Sequence, residues 1–150
     1  MRRKEKEITE MATIEAIIKE AQVCRLAMVD QDKPYVVPLS FGYDGSHIYF
    51  HSALEGRKIE VLRKNPHVCF EFDQVIKLIK HKDACEWGIS FKSVIGEGRA
   101  CLVEDLTEKT HALGVIMAQY SQRAFEFPRS SLKKTAVIKV VIHKITGKQG

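Results

Sequence analysis

The 150-residue sequence has only four cysteines and no long apolar run, and each shortage argues against a class of protein. The cysteines form no C-x-x-C pair, which argues against a disulfide framework and against a zinc site. Charged residues interrupt every apolar stretch before it reaches the roughly 18 to 20 residues of a membrane-spanning helix. Glutamates follow the basic start of the chain, where an export signal needs an apolar stretch. We therefore expect a cytoplasmic protein with no membrane partner.

The sequence also lacks the residue clusters that mark metal catalysis, serine hydrolysis and nucleic-acid binding. His47 and His51 would stand about 13 Å apart on one strand, too far for one metal ion, and no predicted helix carries an H-x-x-x-H pair. No serine lies in a G-x-S-x-G context. The formal net charge is +5, but basic and acidic residues are interspersed rather than clustered. We expect no metal site and no nucleic-acid partner.

Short runs of β type account for most of the chain. Strands are predicted at residues 23–29, 35–41, 46–52, 68–73, 91–103 and 136–145. Helices are predicted over residues 9–21, over a short segment that begins near Gly56, and from a capping box at residues 105–108 to about residue 122. Residues 74–88 fit either a strand or a loop, and residues 123–134 fit a connection. The pattern predicts one mainly β domain over residues 1–150, a six-stranded antiparallel barrel with peripheral helices.

The junction between the third strand and the second helix is the most informative segment. Gly56 is followed directly by Arg57 and Lys58, so two cations stand where a helix begins. The first N–H groups of a helix lack partners and lie at the positive end of its dipole, so a phosphate can bind there. Ser52 can add a hydroxyl donor. The alternative is that Arg57 and Lys58 are ordinary solvated residues of an exposed helix.

Pro38 is unusual because proline cannot donate to a strand ladder. It indicates either an edge strand or a point where pairing stops, and the second case would free backbone groups of residues 37–40 to bind a planar heterocycle. Trp87 could contribute to an aromatic pocket, but core packing is the favoured interpretation, because large rings commonly serve the interior.

Several segments, taken in order, resemble the pyridoxamine 5′-phosphate oxidase-like split-barrel flavoproteins, and most closely their Nim-type, 5-nitroimidazole resistance branch. The segments are RLAMVD at 25–30, PYVVPLSFG at 34–42, YFHSA at 49–53, GRK at 56–58, NP at 65–66, VCFE at 68–71, SVIGEGRA at 93–100 and TGK at 146–148. The resemblance covers most of the chain. It implies a six-stranded split barrel that forms a homodimer, with two FMN molecules at the subunit interface, each touched by both chains.

The resemblance also implies roles for individual residues. Residues 37–40 would run along the isoalloxazine, His51 and Ser52 would lie near the ring and the ribityl phosphate, and Arg57 with Lys58 would grip the phosphate. The cofactor-binding set is Val37, Pro38, Leu39, Ser40, His51, Ser52, Gly56, Arg57, Lys58, Lys92, Ser93 and Val94. The chain ends without the Arg/His segment by which true pyridoxamine-phosphate oxidases hold their substrate, so vitamin oxidation is not expected.

The sequence thus predicts an FMN-dependent oxidoreductase that takes electrons from NADH or NADPH and reduces a small planar acceptor such as a nitroaromatic. His51 is the predicted catalytic residue, since an imidazole side chain can act as a general acid and donate a proton to the reduced acceptor. The alternative is a flavin- or haem-binding split-barrel protein without turnover. The colour of the purified protein distinguishes a flavin from a haem.

Overall fold

The computed structural model describes residues 2–150, in which eight strands form one antiparallel sheet. The strands are β1 (Glu7–Ile8), β2 (Cys24–Asp30), β3 (Lys33–Leu39), β4 (Gly42–Tyr43), β5 (His47–Ser52), β6 (His67–Ile79), β7 (Gly88–Val103) and β8 (Ala136–Gln149). The helices are α1 (Met11–Glu20), α2 (Arg57–Lys64), α3 (Leu106–Tyr120) and α4 (Arg129–Lys134). The predicted mainly β architecture with flanking helices is therefore confirmed.

Over residues 2–150, the sheet curls around a core without closing into a hydrogen-bonded barrel. Its strand order is β3-β2-β6-β7-β8-β5-β4, with β1 paired to β8, so β3 and β4 are its edges. The count of six strands was wrong, because β1 and β4 have two residues each and are too short to show a period. Residues 74–88, which fitted either a strand or a loop, mostly belong to β6 and β7. The two strands continue there as a hairpin around a 3₁₀ turn at Ala84–Glu86.

Helices α1 and α2 bury the apolar stripes that their sequences predict. Each inserts three buried side chains into the core, listed as Ile14, Ile17 and Ile18 for α1 and Ile59, Val61 and Leu62 for α2. Four phenylalanines, Phe41, Phe50, Phe70 and Phe72, fill the inside of the curled sheet and are fully buried. Helix α2 follows β5 and precedes β6, so packing of its apolar side fixes where its first turn lies.

Gly96 and Gly98 let neighbouring atoms approach the backbone of β7 more closely than a side chain would permit. A Cβ atom at Gly96 would lie 2.2 Å from the Phe70 ring, and one at Gly98 would lie 2.5 Å from the Val141 carbonyl oxygen. The β7–β8 ladder also shifts register between Glu97 and Gly98, which adds twist at this point.

Helix α3 begins at the predicted cap. The Asp105 carboxylate accepts the Glu108 amide at 2.8 Å, whereas the Glu108 side chain binds Lys139 at 2.7 Å instead of closing the capping box. Residues 123–134 are not only a connection, because α4 forms within them. Within residues 2–150, no helix is both long and apolar enough to span a bilayer.

Candidate functional site

Two free strand edges border an opening in the sheet, which we call the split. Among the described strands, β3 pairs only with β2, while β4 covers β5 only at Ile48 and Tyr49, so the rest of β5 pairs with β8 alone. Only two residues, Ser40 and Phe41, connect β3 to β4. The free edges of β3 and β5 therefore diverge from a common corner near Phe41.

The N-terminus of α2 lies at the far end of the split. Gly56 is the N-cap residue, with φ +119°, a conformation that favours glycine. Apart from the two adjacent residues, the described chain has no atom within 4 Å of the position that a Cβ on Gly56 would take. The helical bonding begins with the Glu60 amide, which donates to the Gly56 carbonyl at 3.1 Å, so the three preceding amides have no helical acceptor. This end of the helix is open and electropositive.

Arg57 spans the split and is held on two sides. Its Nε donates to Asp30 Oδ2 at 3.0 Å, and its guanidinium carbon stacks 4.3 Å from the centroid of the Tyr35 ring. Among residues 2–150, no acceptor bonds the two terminal nitrogens of Arg57. Because Nε alone is used, the terminal nitrogens remain available for the bidentate contact that guanidinium groups make with phosphate.

Asp30 and Tyr35 are site residues that sequence reasoning missed. They lie at the end of β2 and early in β3, and Asp30 is 27 residues away from Arg57 along the chain. No local pattern connects such distant positions. The only available signal was that both residues flank the turn predicted between the first two strands.

Lys58 is partly buried beside Arg57, and burial lowers its pKa below the usual lysine value. No carboxylate of the described chain forms an ion pair with Lys58. Arg57 and Lys58 carry two positive charges against the one negative charge of Asp30, so the site has a net positive charge in addition to the helix dipole. An anion bound here would favour the charged form of Lys58.

His51 and Ser52 end β5 but point to opposite faces of the sheet. Ser52 lies on the same face of β5 as Phe50, which belongs to the main core. His51 lies on the same face as Tyr49, which packs in a second cluster under α3. His51 is exposed and lies opposite Val137 of β8. The structure therefore puts Ser52 and the first turn of α2 at the same end of the sheet, with the His51 side chain directed to the α3 side.

The predicted interruption of pairing at Pro38 was wrong. The β2–β3 register runs from Cys24–Leu39 to Asp30–Lys33 without a break, and Pro38 lies opposite Arg25. Pro38 is tolerated because β3 is an edge strand, the alternative reading of this residue. Val37 and Leu39 pack against the core, whereas Pro38 and Ser40 are exposed.

Lys92, Ser93 and Val94 lie apart from the other predicted cofactor-binding residues. They belong to β7, which is separated from β3 by two intervening strands. Val94 is fully buried in the core, and Ser93 lies opposite Asp73 on the outside of the sheet. Among residues 2–150, no hydrogen bond or ion pair joins these residues to Arg57 or Lys58. Trp87 does not pack in the core, because its side chain is half exposed. Its indole N–H donates to the His81 carbonyl at 2.6 Å.

A groove of about 410 Å³ lies outside the sheet, next to the β2–β3 turn. Val29 and Pro34 form part of its wall, adjacent in sequence to Asp30 and Tyr35. Its polar side chains are His67, Cys69, Glu97 and His143, and His143 is the extra residue in the β8 register shift. No local pattern predicts this groove, because its lining comes from five strands.

A family profile described as Pyridoxamine 5′-phosphate oxidase matches residues 10–149 of the chain. Among curated proteins, an uncharacterized protein of Rhizobium meliloti is 29% identical over 85 residues, which are 57% of this chain and 49% of that protein. The match thus spans about half the length of that relative.

Solved structures share the fold over nearly the whole chain. A protein of Bacteroides thetaiotaomicron, provisionally named a 5-nitroimidazole antibiotic resistance protein, is 35% identical, with a TM-score of 0.87 over 95% of this chain and 86% of that chain. An FAD and haem binding protein of Mycobacterium smegmatis is 14% identical, with a TM-score of 0.88 over 97% of this chain and 73% of that chain. At 14% identity, the second likeness concerns the fold alone.

Proposed function

Because the chain belongs to the pyridoxamine 5′-phosphate oxidase family, we propose that it is a flavin-dependent oxidoreductase that binds FMN in the split. The observation that carries this proposal is the first turn of α2, where an open glycine N-cap stands beside a fixed arginine and an unpaired lysine. A doubly charged phosphate fits these donors. The fold shared with an FAD and haem binding protein also supports a flavin.

Each group of residues has a distinct part in binding. Arg57, Lys58 and the amides that follow Gly56 hold the phosphate, and Ser52 adds a hydroxyl from the end of β5. The outer edge of β3 at residues 37–40 is free to pair with the polar edge of a planar ring. A flavin supplies hydride and electron transfer when bound, and the protein supplies position and electrostatic environment.

We propose a nitroaromatic as the acceptor and a reduced nicotinamide, NADH or NADPH, as the electron donor. The 35% identity to a 5-nitroimidazole resistance protein supports this class of acceptor. His51 ends β5 next to the split, its exposed side chain lies on the α3 side of the sheet, and it is the proposed proton donor. His51→Gln should then lower nitroimidazole reduction about 100-fold without changing flavin affinity, as expected for loss of a general acid. His47→Gln is the matched control, because His47 lies on the same face of β5.

The purified protein gives the first test of this function. We expect a yellow protein whose heat-released chromophore has the mass of FMN and which oxidises NADH or NADPH anaerobically when a 5-nitroimidazole is added. A Soret band would indicate haem and support the non-catalytic alternative. A colourless protein that FMN does not reconstitute would contradict the proposal.

Tyr35 and Asp30 should act by positioning Arg57. Tyr35→Leu removes the stacking surface and is expected to weaken FMN binding about fivefold, since an exposed cation–π contact contributes about 1 kcal/mol. Tyr35→Phe keeps the ring and should bind FMN like the wild type. Fluorescence quenching of FMN measures both affinities, and equal affinities for Tyr35→Leu and Tyr35→Phe would contradict the positioning role.

FMN affinity should fall at alkaline pH because of Lys58. Burial lowers the Lys58 pKa in the free protein, and a bound phosphate raises it again by favouring the charged form. Affinity is therefore constant below the pKa of the free protein and falls by at most about tenfold per pH unit above it. Titrations between about pH 7 and 10 test this, with Lys58→Arg as control, because arginine stays charged throughout. A wild-type affinity that follows the variant would contradict this role of Lys58.

We also propose that the chain acts as a homodimer. A flavin lying along the open edge of β3 would be covered on one side by its own protomer, and a second subunit would shield the other side from water. The exposed apolar residues outside the sheet support this proposal.

A further inference from the structure

The ladder between β2 and β3 stops two residues before the corner of the split. Its last pair is Cys24 with Leu39, so two further residues would bring Gln22 opposite Phe41. The hydroxyl of Tyr120, the last residue of α3, stands between these two residues instead. The Phe41 amide donates to Tyr120 Oη at 2.9 Å, and Tyr120 Oη donates to the Gln22 carbonyl at 2.9 Å. One side chain thus continues the ladder across the corner.

The bridging hydroxyl meets a need of the buried corner. Phe41 is fully buried, and its amide has no ladder partner among the described strands. A buried amide without an acceptor is strongly unfavourable. The Tyr120 and Phe41 rings also pack edge to face, with 6.5 Å between their centroids. Burial raises the pKa of Tyr120 above its ordinary value, so the hydroxyl stays protonated and keeps donating to Gln22.

Helix α3 is itself fixed at this end. One turn before Tyr120, the backbone of Ile116 approaches Gly42 so closely that a Cβ on the glycine would lie 2.5 Å from the Ile116 nitrogen. Gln119 Nε2 donates to the Ala21 carbonyl, just after α1, at 2.9 Å. The Tyr120 hydroxyl is therefore held by a rigid frame and can fix the direction of the group that it binds.

The bond to Tyr120 sets the direction of the Ser40 carbonyl. Peptide bonds of residues 2–150 are all trans, and in a trans peptide the N–H and the preceding C=O point in opposite directions. The Phe41 amide points to the β2 side, so the Ser40 carbonyl points to the free edge of β3, which borders the split. Pro38 agrees with this alternation, because proline fits where the ladder does not use the N–H, and Ser40 lies two residues further on.

Ser40 offers the two groups that a cyclic imide needs. Among residues 2–150, neither its amide nor its carbonyl has a hydrogen-bond partner. The N–H and C=O of one residue at a free edge can pair with the adjacent C=O and N–H of an imide, as they would with another strand. The oxidised isoalloxazine carries its single N–H in such an imide, between two carbonyls. Ser40 therefore matches that edge of the ring.

On the basis of the FMN binding proposed above, we propose that Tyr120 is a positioning residue for the flavin ring, because through the Ser40–Phe41 peptide it directs the Ser40 carbonyl to the imide N–H. The hydroxyl of Tyr120 is already used by Phe41 and Gln22, so Tyr120 acts through the backbone. Helix α3 is thereby linked to the flavin site.

A binding cycle with two ligands tests this role. FMN methylated at the imide nitrogen keeps the phosphate but has no imide N–H. The wild type should bind FMN about tenfold more tightly than the methylated ligand, as expected for one net hydrogen bond. Tyr120→Phe should weaken FMN binding about fivefold and leave binding of the methylated ligand unchanged, so that the preference falls to about twofold. Tyr43→Phe is the matched control, because the Tyr43 hydroxyl donates to the Gly45 carbonyl, and it should keep the tenfold preference.

Hydrogen exchange of the Phe41 amide, followed by NMR without flavin, tests the first step alone. Exchange should be at least about tenfold faster in Tyr120→Phe than in the wild type and unchanged in Tyr43→Phe, since an amide that loses its acceptor opens more readily. Unchanged exchange in Tyr120→Phe, an unchanged preference for FMN in that variant, or an equal loss of preference in Tyr43→Phe would each overturn the role of Tyr120. A wild type that binds neither ligand would instead overturn the flavin site itself, and the role of Tyr120 with it.

Discussion

Replacing Arg57 and Lys58 together by alanine should weaken FMN binding about 100-fold. Each cation is expected to make a charge-assisted hydrogen bond to the phosphate, and such bonds contribute about 1.5 to 3 kcal/mol each. A combined loss of about 3 kcal/mol corresponds to about 100-fold in the dissociation constant. The amides after Gly56 remain, so some binding should persist. Equilibrium titration of the flavin-free variant with FMN measures the loss.

The other end of the same helix provides the matched control. Arg63 and Lys64 occupy the last turn of α2 and are exposed, so Arg63→Ala with Lys64→Ala removes the same two charge types at the C-terminal end. Its FMN affinity should stay within about twofold of wild type, because exposed charges at that separation are screened by salt. Equal losses in the two variants would show that net charge, rather than this position, attracts the flavin.

Gly42→Ala should destabilise the folded protein by about 2 to 3 kcal/mol, the second large effect we expect. A Cβ at Gly42 would lie 2.5 Å from the Ile116 amide nitrogen and 2.6 Å from its Cα. These are backbone atoms of α3, which cannot rotate away as a side chain would. Helix α3 must shift away from β4. Overpacking of this kind typically costs about 1 to 3 kcal/mol, and the rigid backbone of α3 puts the expected cost in the upper part of that range. Urea unfolding followed by circular dichroism measures the change.

Gly114→Ala is the control for this prediction. Gly114 lies within α3 as Ile116 does, but, apart from the adjacent backbone of α3, no atom of residues 2–150 lies within 4 Å of its Cβ position. Alanine here should stabilise the protein by about 0.5 to 1 kcal/mol, because glycine is the poorer helix former. The two substitutions should thus move the unfolding midpoint in opposite directions, and a Gly42→Ala midpoint at or above wild type would refute the close approach.

Periodicity predicted the elements that bury one face. Helix α1 was expected over residues 9–21 and spans Met11–Glu20, because Ile14, Ile17 and Ile18 all face the core. Residues 74–88 show no clear pattern in the sequence, since the large apolar side chains of this part of the β6–β7 hairpin are exposed. The contact of Gly42 with α3 was also invisible, because it depends on how two distant elements approach each other.

The candidate site was predictable only where it is local in sequence. Glycine followed by two cations at a helix start is a short-range signal, and α2 does begin at Arg57. Asp30 and Tyr35, which fix the arginine, come from a different hairpin and could be found only once the sheet had curled. The same limit applies to Lys92, Ser93 and Val94. Their separation from β3 depends on the order of the strands in the sheet, which sequence spacing does not show.

The most direct test of the phosphate site compares FMN with riboflavin, which has the same ring and no phosphate. We predict that the wild type binds FMN about 100-fold more tightly than riboflavin, and that Arg57→Ala with Lys58→Ala removes most of this difference by weakening FMN binding alone. Isothermal titration of the four combinations gives the coupling directly. Equal affinities of the wild type for FMN and riboflavin, or a preference for FMN that survives in the double variant, would contradict the assignment of α2 as the phosphate site.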